Sequence, residues 1–232
     1  MDELAPAGTI FDRVAQRIIT GSRANPNRPS LSSVPDADEL EAQRRERLWG
    51  YAEVPTRFQD FTFDNFPGTV PDAVREGGSL LIWGPFGTGK TALAVSMVRD
   101  RVYRQGLAAQ FITSPKLLDR IRATFSDRNG VDEADVLLRI KTIPFLVLDD
   151  LGAERVTEWV EEKLFTIINE RHDEMLTTVF TTNLSPAQLG NHIGERTAWR
   201  VMEMCKVLKL DGVNLRAKSV SGVTQRGGAG SA

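Results

Sequence analysis

The feature that most constrains this chain is a glycine-rich octapeptide, GPFGTGKT, at residues 84–91. It fits the pattern G-x-x-x-x-G-K-[ST] in full, and it follows the apolar run SLLIW at residues 79–83 directly. An amphipathic stretch that reaches Tyr103 comes after it. A strand that stops at glycine and leads into a helix is the setting in which this pattern binds phosphate groups. The sequence therefore predicts a phosphate loop within a βαβ unit.

The predicted phosphate loop has a physical use for each type of residue in it. Glycines let the backbone curl so that its N–H groups point at a phosphate. Lys90 supplies positive charge to the β- and γ-phosphates, and the hydroxyl of Thr91 is a ligand for Mg²⁺. We expect ATP or ADP with Mg²⁺ as cofactors, and we expect nucleotide contacts from Gly84, Pro85, Phe86, Gly87, Thr88, Gly89, Lys90, Thr91 and Ala92.

Short apolar runs alternate with stretches of helical periodicity along the chain. Strands are predicted at residues 79–83, 109–113, 145–148, 178–181 and 206–210. A helix is predicted to open at Ser114-Pro115 with Ser114 as its N-cap, because Pro is favoured in the first turn. Another spans residues 158–171, with its inner face formed by Val160, Leu164, Ile167 and Ile168. This alternation predicts an α/β fold of the three-layer P-loop NTPase type, AAA+ or RecA-like, with a mostly parallel five-stranded sheet flanked by helices.

Polar residues follow two of the predicted strands. Asp149 and Asp150 come directly after the run FLVL, and Asn183 follows the run TVFT by two residues. The carboxyl ends of parallel strands meet at one edge of a sheet, where ligands bind. We expect Asp149 and Thr91 to bind Mg²⁺, with Asp149 acting through a metal-bound water. We expect Asp150 to polarise the attacking water and Asn183 to hold that water or to contact the γ-phosphate.

Composition excludes several classes of protein. Hydrophobic residues make up 41% and charged residues 26% of the 232 residues, which argues against wholesale disorder. The net charge of −2 gives no overall attraction to nucleic acid. The only cysteine is Cys205, so an internal disulfide and a cysteine-rich zinc site are excluded. No apolar run approaches the ~20 residues that span a bilayer. We expect a cytoplasmic protein that does not contact membranes.

Several segments together resemble the DnaC/DnaI bacterial helicase loaders, which are AAA+ ATPases with the IstB-like transposition ATPases as relatives. These segments are the phosphate loop, LVLDDLGAERVTEWVEEKLFTIINER, the TTN after the fourth strand, and IGERTAWRVMEMCKVLKLDGVNLR. The resemblance covers about residues 58–216. It implies subunits that assemble side by side into ATP-bridged rings or spirals. In such loaders the oligomer engages a hexameric replicative helicase and single-stranded DNA.

The resemblance also implies roles for three arginines. Arg196 matches the family's box VI arginine, Arg200 matches the box VII arginine finger that acts on a neighbouring subunit's γ-phosphate, and Arg216 matches the sensor II arginine. For Arg196 and Arg200 the alternative is a surface lattice of ion pairs with Glu203, since these three side chains lie at helical spacing. Trp199 precedes the matched finger and is expected either at a subunit interface or in the core.

The segment between the second and third strands is the candidate for DNA contact. In replication-initiator relatives an added helical element here grips single-stranded DNA. Basic side chains would follow phosphates and an aromatic ring would stack on a base, with Lys116, Arg120, Arg122, Arg128 and Phe125 as the candidates. An ordinary solvated helix is the alternative.

The expected domains are an N-terminal helical arm and linker at residues 1–60, an AAA+ ATPase domain at 61–216 and a flexible tail at 217–232. The arm is either solvated or a docking segment for a partner. Phe61, Phe63 and Phe66 either wall a base pocket or fill the core. The first hypothesis is that the protein is an ATP-hydrolysing helicase loader in DNA replication. The alternatives are a transposition helper ATPase and an ATP-switched helicase adaptor with little turnover.

Overall fold

Five parallel strands and the helices between them make up the described part of the chain. The computed structural model describes residues 36–66, 68–125 and 132–211. Within these ranges the helices are α1 (Ala37–Tyr51), α2 (Asp72–Glu76), α3 (Lys90–Tyr103), α4 (Ser114–Thr124), α5 (Glu133–Thr142), α6 (Glu158–Asp173), α7 (Pro186–Ile193) and α8 (Glu195–Met204). The strands are β1 (Leu80–Trp83), β2 (Ala109–Thr113), β3 (Phe145–Asp149), β4 (Thr177–Thr182) and β5 (Lys206–Lys209).

The strands form one sheet in the order β2-β3-β4-β1-β5, and every neighbouring pair is parallel. Helices connect the strands, as parallel pairing requires. The predicted α/β fold with a five-stranded parallel sheet is confirmed. The order matters for the site, because β4 lies between β1 and β3. The residues that follow these three strands therefore meet at the carboxyl edge.

Two apolar layers cover the two faces of the sheet. Side chains alternate along β1, so Leu80 and Ile82 pack with the buried face of α3, while Leu81 packs on the opposite side. The second layer is formed by α4 to α8, and the predicted inner face of α6 is buried there as expected. Burial on both faces explains why β1 and β3 read as continuous apolar runs.

Residues ahead of β1 contribute to the first apolar layer. Ala52 and Val54 are buried, and Leu48 and Trp49 of α1 pack against the same cluster. Part of the region expected as an arm is therefore packed onto the core. Phe66 is buried in this cluster and fills the core, whereas Phe61 and Phe63 pack against the cluster and stay half-buried.

The N-cap of α4 is Thr113, which corrects the expectation of Ser114. The Thr113 side chain accepts a hydrogen bond from the Lys116 N–H at 3.3 Å. Ser114 is the first helical residue, and its buried hydroxyl donates to Glu154 Oε1 at 2.9 Å. Ser114 thus connects the end of β2 to the loop after β3 and is not available for capping.

Arg171 is a fully buried cation on the inner face of α6. Its guanidinium donates to the Ile140 and Ile143 carbonyls at 2.8 and 2.9 Å, to Thr177 O at 2.9 Å and to Thr178 Oγ1 at 2.9 Å. Burial lowers the pKa of Arg171 to about 9. The side chain ties the end of α5 to the start of β4, because it satisfies carbonyls that the end of a helix leaves unpaired.

Some expectations fall outside the described residues. These are Arg128, Arg216, most of the predicted arm (residues 1–35) and the predicted tail at 217–232. Among the described helices, none is long and apolar enough to cross a membrane.

Candidate nucleotide-binding site

The phosphate loop joins β1 to α3 in backbone conformations that favour glycine. Gly84, Gly87 and Gly89 have φ angles of 151°, 80° and 93°. A Cβ at Gly84 would lie 2.3 Å from the Leu210 carbonyl oxygen, so a side chain has no room there. Gly89 is the left-handed residue that precedes α3. The loop therefore places the amino end of α3, with its partial positive charge, at the carboxyl edge of the sheet.

The other predicted loop residues divide between support and exposure. The Thr88 hydroxyl donates to Pro85 O at 3.0 Å, which braces the loop. Ala92 belongs to the buried face of α3. The Phe86 ring is 73% exposed at the tip of the loop.

Lys90 is buried, and its ammonium group lies at the centre of the loop. Nζ donates to Gly84 O at 2.8 Å, to Pro85 O at 2.7 Å and to Asn183 Oδ1 at 2.8 Å. Asn183 is thus brought to the phosphate loop, as expected from its position after β4. A phosphate group that entered the loop would replace some of these neutral acceptors with charged oxygens, which form stronger hydrogen bonds with an ammonium group.

Thr91 and Asp149 meet across the β1–β4–β3 edge. The Thr91 hydroxyl lies 3.0 and 3.3 Å from the two carboxylate oxygens of Asp149. The Thr181 hydroxyl donates to Asp149 Oδ1 at 2.6 Å from the other side. Thr181 also accepts a hydrogen bond from the Asp150 N–H at 3.0 Å. Thr181 thus holds both acidic residues in place, a role that its local sequence does not indicate.

Asp149 is a buried carboxyl group with an unusual pKa. Burial raises its pKa to about 6, and the negative charge of Asp150 acts in the same direction. Hydrogen bonds from Thr181 and Thr91 and the charge of Lys90 partly oppose this rise. The ionised form of Asp149 is therefore costly unless positive charge comes close to it.

The donor set at this edge fits a magnesium ion. Thr91 and Asp149 offer a hydroxyl and carboxylate oxygens, the hard ligands that Mg²⁺ prefers. The ion usually keeps several waters and takes only one or two protein carboxylates beside substrate phosphates. A divalent cation would also relieve the charge penalty on the buried Asp149. Asp150 stands next to it with a φ angle of 56° and a half-buried side chain.

Arg196 and Arg200 lie on α8, and both contact side chains of α6. The Arg196 guanidinium lies 4.4 Å from the centroid of the Phe165 ring. Arg200 Nε donates to Asn169 Oδ1 at 3.0 Å, and its Nη1 donates to Glu203 Oε2 at 2.8 Å. The ion pair expected with Glu203 is therefore present for Arg200. Asn169 lies in the last third of α6, which leads back to the amino ends of the strands, so Arg200 is remote from Lys90 of its own chain.

Trp199 is 70% exposed on α8. This observation excludes the expectation that it packs in the core. The buried side of α8 is formed by Thr197, Ala198 and Val201 instead.

Two of the predicted DNA-contacting residues are engaged in an ion-pair cluster. Arg120 forms a two-pronged salt bridge with Glu53, and the Lys116 ammonium lies 4.0 Å from the same carboxylate. Arg139 of α5 also approaches Glu53, at 3.5 Å. Burial raises the pKa of Glu53, but the hydrogen bond from Arg120 and the three positive charges outweigh this, and the net pKa is lowered. Local sequence patterns give no sign of this role for Glu53, since it lies 67 residues from Arg120.

Arg122 and Phe125 form a separate, more exposed group. The Arg122 guanidinium lies 4.7 Å from the centroid of the Trp159 ring and pairs with Asp119 at 3.1 Å. The Phe125 ring is 63% exposed and meets the same indole edge-on at 6.2 Å. An exposed ring beside a guanidinium is the kind of surface on which nucleic-acid bases stack.

The sheet order and the phosphate loop together define an AAA+-type P-loop domain. A family model described as IstB-like ATP binding protein matches residues 71–222. This chain belongs to that family. Membership supports nucleotide binding, with the phosphate loop as the matching structural element.

Curated relatives include proteins of two kinds. The chain is 27% identical over 154 residues to the replicative helicase loader DnaI of Bacillus subtilis, which covers 61% of this chain and 48% of DnaI. It is 28% identical over 128 residues to a putative ATP-binding protein of insertion sequence IS1162 from Pseudomonas fluorescens, covering 55% of this chain and 53% of the relative. The chain thus spans about half the length of these two relatives.

A solved structure shares the fold. The crystal structure of the DnaC helicase loader superposes with a TM-score of 0.59 at 26% identity. The match covers 68% of this chain and all of the solved chain. The described region is thus similar in sequence and architecture to a helicase loader.

Proposed function

We propose that this chain binds and hydrolyses ATP with Mg²⁺ and acts as a helicase loader, helping to place a replicative DNA helicase on single-stranded DNA. The observation that carries the proposal is the contact between Thr91 and Asp149 beside the buried Lys90. It joins a phosphate cradle to a hydroxyl and a carboxylate at one edge of the sheet. The similarity to DnaI and DnaC supports the loader role.

Each residue at this edge has a task in ATP hydrolysis. Gly84 to Thr91 hold the phosphates through backbone N–H groups and the Lys90 ammonium. Thr91 and Asp149 would hold Mg²⁺, which neutralises charge on the phosphate oxygens. Asp150 would orient the attacking water and accept its proton, and Asn183 would keep that water or the γ-phosphate in line.

Arg200 would complete the site of a neighbouring subunit. Its position beside Asn169, remote from the phosphate loop of its own chain, supports action on a second copy. A guanidinium stabilises charge that builds up on the transferred phosphoryl group. Arg200 would have to leave Glu203 to do so, which would make hydrolysis depend on assembly. Arg196 and Arg216, which match the family's box VI and sensor II arginines, are proposed to act in catalysis as well.

A transposition helper ATPase is the second candidate. The IstB-like family model and the similarity to an insertion-sequence protein favour it. Both candidates share the nucleotide chemistry, and they differ in the macromolecule that the ATP-bound form engages.

A pull-down experiment separates the candidates. The tagged full-length chain is incubated with the replicative helicase of the same organism, or with a transposase encoded beside its gene, with ATP and without nucleotide. The loader proposal expects helicase retention that changes with ATP in the wild type and no such change in Lys90→Ala. Retention of the transposase alone would favour the second candidate and contradict the loader role. An ATP-switched adaptor would retain the helicase but show no steady-state ATP turnover.

A further inference from the structure

A cavity of about 330 Å³ lies at the opposite end of α3 from the phosphate loop. Its walls come from the last turn of α3, from α2 and from the segment ahead of α2. The ring of Phe145, the first residue of β3, lies under one wall, which places the cavity near the amino edge of the sheet. It is thus separate from the nucleotide site.

The cavity combines an apolar floor with a cationic rim. Phe63, Val74 and Met97 form the floor, and the latter two are buried in the core. Arg75, Arg101 and Arg104 also line the cavity, together with one acidic residue, Asp100. The Arg75 guanidinium lies 5.8 Å from the centroid of the Phe63 ring.

The single carboxylate is already engaged. Asp100 pairs with Arg104 at 3.4 Å and accepts a hydrogen bond from Gln105 Nε2 at 3.2 Å. Within the described residues, neither Arg75 nor Arg101 has a carboxylate oxygen within 4.0 Å. Two guanidinium groups therefore face the cavity without an anionic partner from these parts of the chain.

Arg101 is held in place for such a partner. Its Nη1 donates to Gln105 Oε1 at 2.6 Å, and its guanidinium lies 5.3 Å from the centroid of the Phe145 ring. A Cβ at Gly77 would lie 2.7 Å from Arg101 Nη2, so the guanidinium rests on a position where a side chain would displace it. A guanidinium fixed before binding loses little freedom when it takes up a carboxylate.

We propose that this cavity binds a short acidic peptide segment of a partner protein, with a carboxylate on Arg75 and Arg101 and an apolar side chain on the Phe63–Val74–Met97 floor. The volume is at the lower end of the range for ligand pockets, which suits one or two side chains. Guanidinium groups match the planar geometry of carboxylates and bind them through two parallel hydrogen bonds.

Nucleic acid fits this surface less well. The short helix α2, which carries Arg75, also carries Asp72 and Glu76, and a strand with a charge on every phosphate would meet them. A compact acidic peptide needs only the cavity itself. The inference does not depend on ATP hydrolysis, because the cavity and the phosphate loop lie at opposite ends of α3.

The test measures fluorescence anisotropy of labelled heptapeptides with the nucleotide-free full chain. The probe is GDEFDEG, and its controls are GDEGDEG, which lacks the apolar side chain, and GNQFNQG, which lacks the charges. We expect the probe to bind at least ten times more tightly than either control. Arg101→Gln should weaken probe binding tenfold or more and Arg75→Gln several-fold. Arg155→Gln, an exposed arginine in the loop after β3, should leave binding unchanged.

Either of two kinds of result would overturn the inference. One is equal probe affinity in wild type, Arg75→Gln and Arg101→Gln, or no binding by the wild type. The other is selective binding of a labelled oligo-dT strand that is lost in Arg101→Gln while the peptide does not bind, which would assign the cavity to nucleic acid. Arg75 is exposed, so its variant keeps the test valid even if Arg101→Gln does not fold.

Discussion

The Thr91 hydroxyl lies 3.0 Å from a carboxylate oxygen of Asp149, although the two residues are 58 positions apart in the chain. Thr91 lies in the first turn of α3, and Asp149 is the last residue of β3. The strand β4 between β1 and β3 contributes Thr181, whose hydroxyl donates to the same carboxylate. A hydrogen bond from Thr91 to Asp149 therefore joins the phosphate loop to a carboxylate that can bind a cation.

Replacing Asp149 should separate stability from activity. Burial raises the pKa of Asp149 to about 6, so its ionised form opposes folding at neutral pH. Asp149→Asn keeps the size and the hydrogen-bond acceptor while removing the charge. We expect it to raise the free energy of unfolding of the nucleotide-free protein by about 1–3 kcal/mol at pH 8 and to abolish ATP turnover. Urea unfolding and a steady-state ATPase assay measure the two effects.

A matched control for Asp149→Asn is Asp119→Asn, which removes an exposed carboxylate on α4. It should change neither stability by more than ~0.5 kcal/mol nor turnover. Lower stability in Asp149→Asn together with full activity would contradict the assignment of Asp149 to the cation.

Mixing two inactive variants tests the proposed action of Arg200 on a second copy. Arg200→Ala keeps its own phosphate loop and should still bind ATP, while its turnover should fall by about 10³-fold or more. Lys90→Ala keeps Arg200 but lacks the phosphate-binding ammonium. If Arg200 acts between subunits, a mixture of the two variants should regain turnover, because one supplies the site and the other the guanidinium. If the mixture is as inactive as its components, Arg200 does not act in that way.

The Glu53 cluster should make stability depend on acid. The pKa of Glu53 is lowered by Arg120, Arg139 and Lys116, so its ionised form stabilises the fold. This contribution is present above its unfolded pKa and is lost as the pH falls through the lower folded value. Glu53→Gln should therefore destabilise the protein at pH 7, and the difference from wild type should shrink below about pH 4.

Thermal unfolding across this pH range measures the effect of Glu53→Gln. Glu170→Gln serves as the control, since Glu170 pairs with Lys141 at 3.6 Å and its side chain is half exposed. A destabilisation by Glu53→Gln that is constant from pH 3 to 7 would show that the charge is not the cause.

Contacts with single-stranded DNA, if they involve α4, should depend on its exposed end. Arg120 is occupied by Glu53, whereas Arg122 and Phe125 lie on the surface around Trp159. We expect Arg122→Gln and Phe125→Ala to weaken binding of oligo-dT more than Arg120→Gln does. Arg122→Gln should also reduce the dependence of affinity on salt, because it removes a phosphate contact. Unchanged affinity and salt dependence in both variants would place the DNA elsewhere.

Local patterns in the sequence predict the strands and the phosphate loop well. Gly84 and Gly89 occupy positions where a positive φ is needed, and the run FLVL has the continuous apolar character of a strand buried on both faces. Such features depend on residues that are neighbours in the chain, so they can be predicted without knowledge of the fold. The positions of Asp149 and Asn183 could also be expected, because parallel strands end at one edge.

Features that depend on strand order or on distant pairing were not predicted. Thr181 reaches Asp149 only because β4 lies beside β3, which local periodicity does not reveal. The salt bridge between Arg120 and Glu53 joins α4 to the turn that follows α1. It occupies a guanidinium that was expected to contact DNA. In the sequence, Arg171 has the character of a polar residue at the end of an amphipathic helix. In the structure it is buried, and its guanidinium donates hydrogen bonds to carbonyls at the end of α5.

The most direct test of the central claim is the affinity of the full-length protein for ATP with Mg²⁺, measured by isothermal titration calorimetry in wild type and Lys90→Ala. Thr88→Val, which removes only a hydroxyl that braces the loop, is the control. Saturable binding by the wild type, a modest loss in Thr88→Val and no detectable binding in Lys90→Ala would agree with a phosphate cradle centred on Lys90. Equal affinity for ATP in wild type and Lys90→Ala would contradict a phosphate cradle centred on Lys90, and with it the proposed ATPase activity.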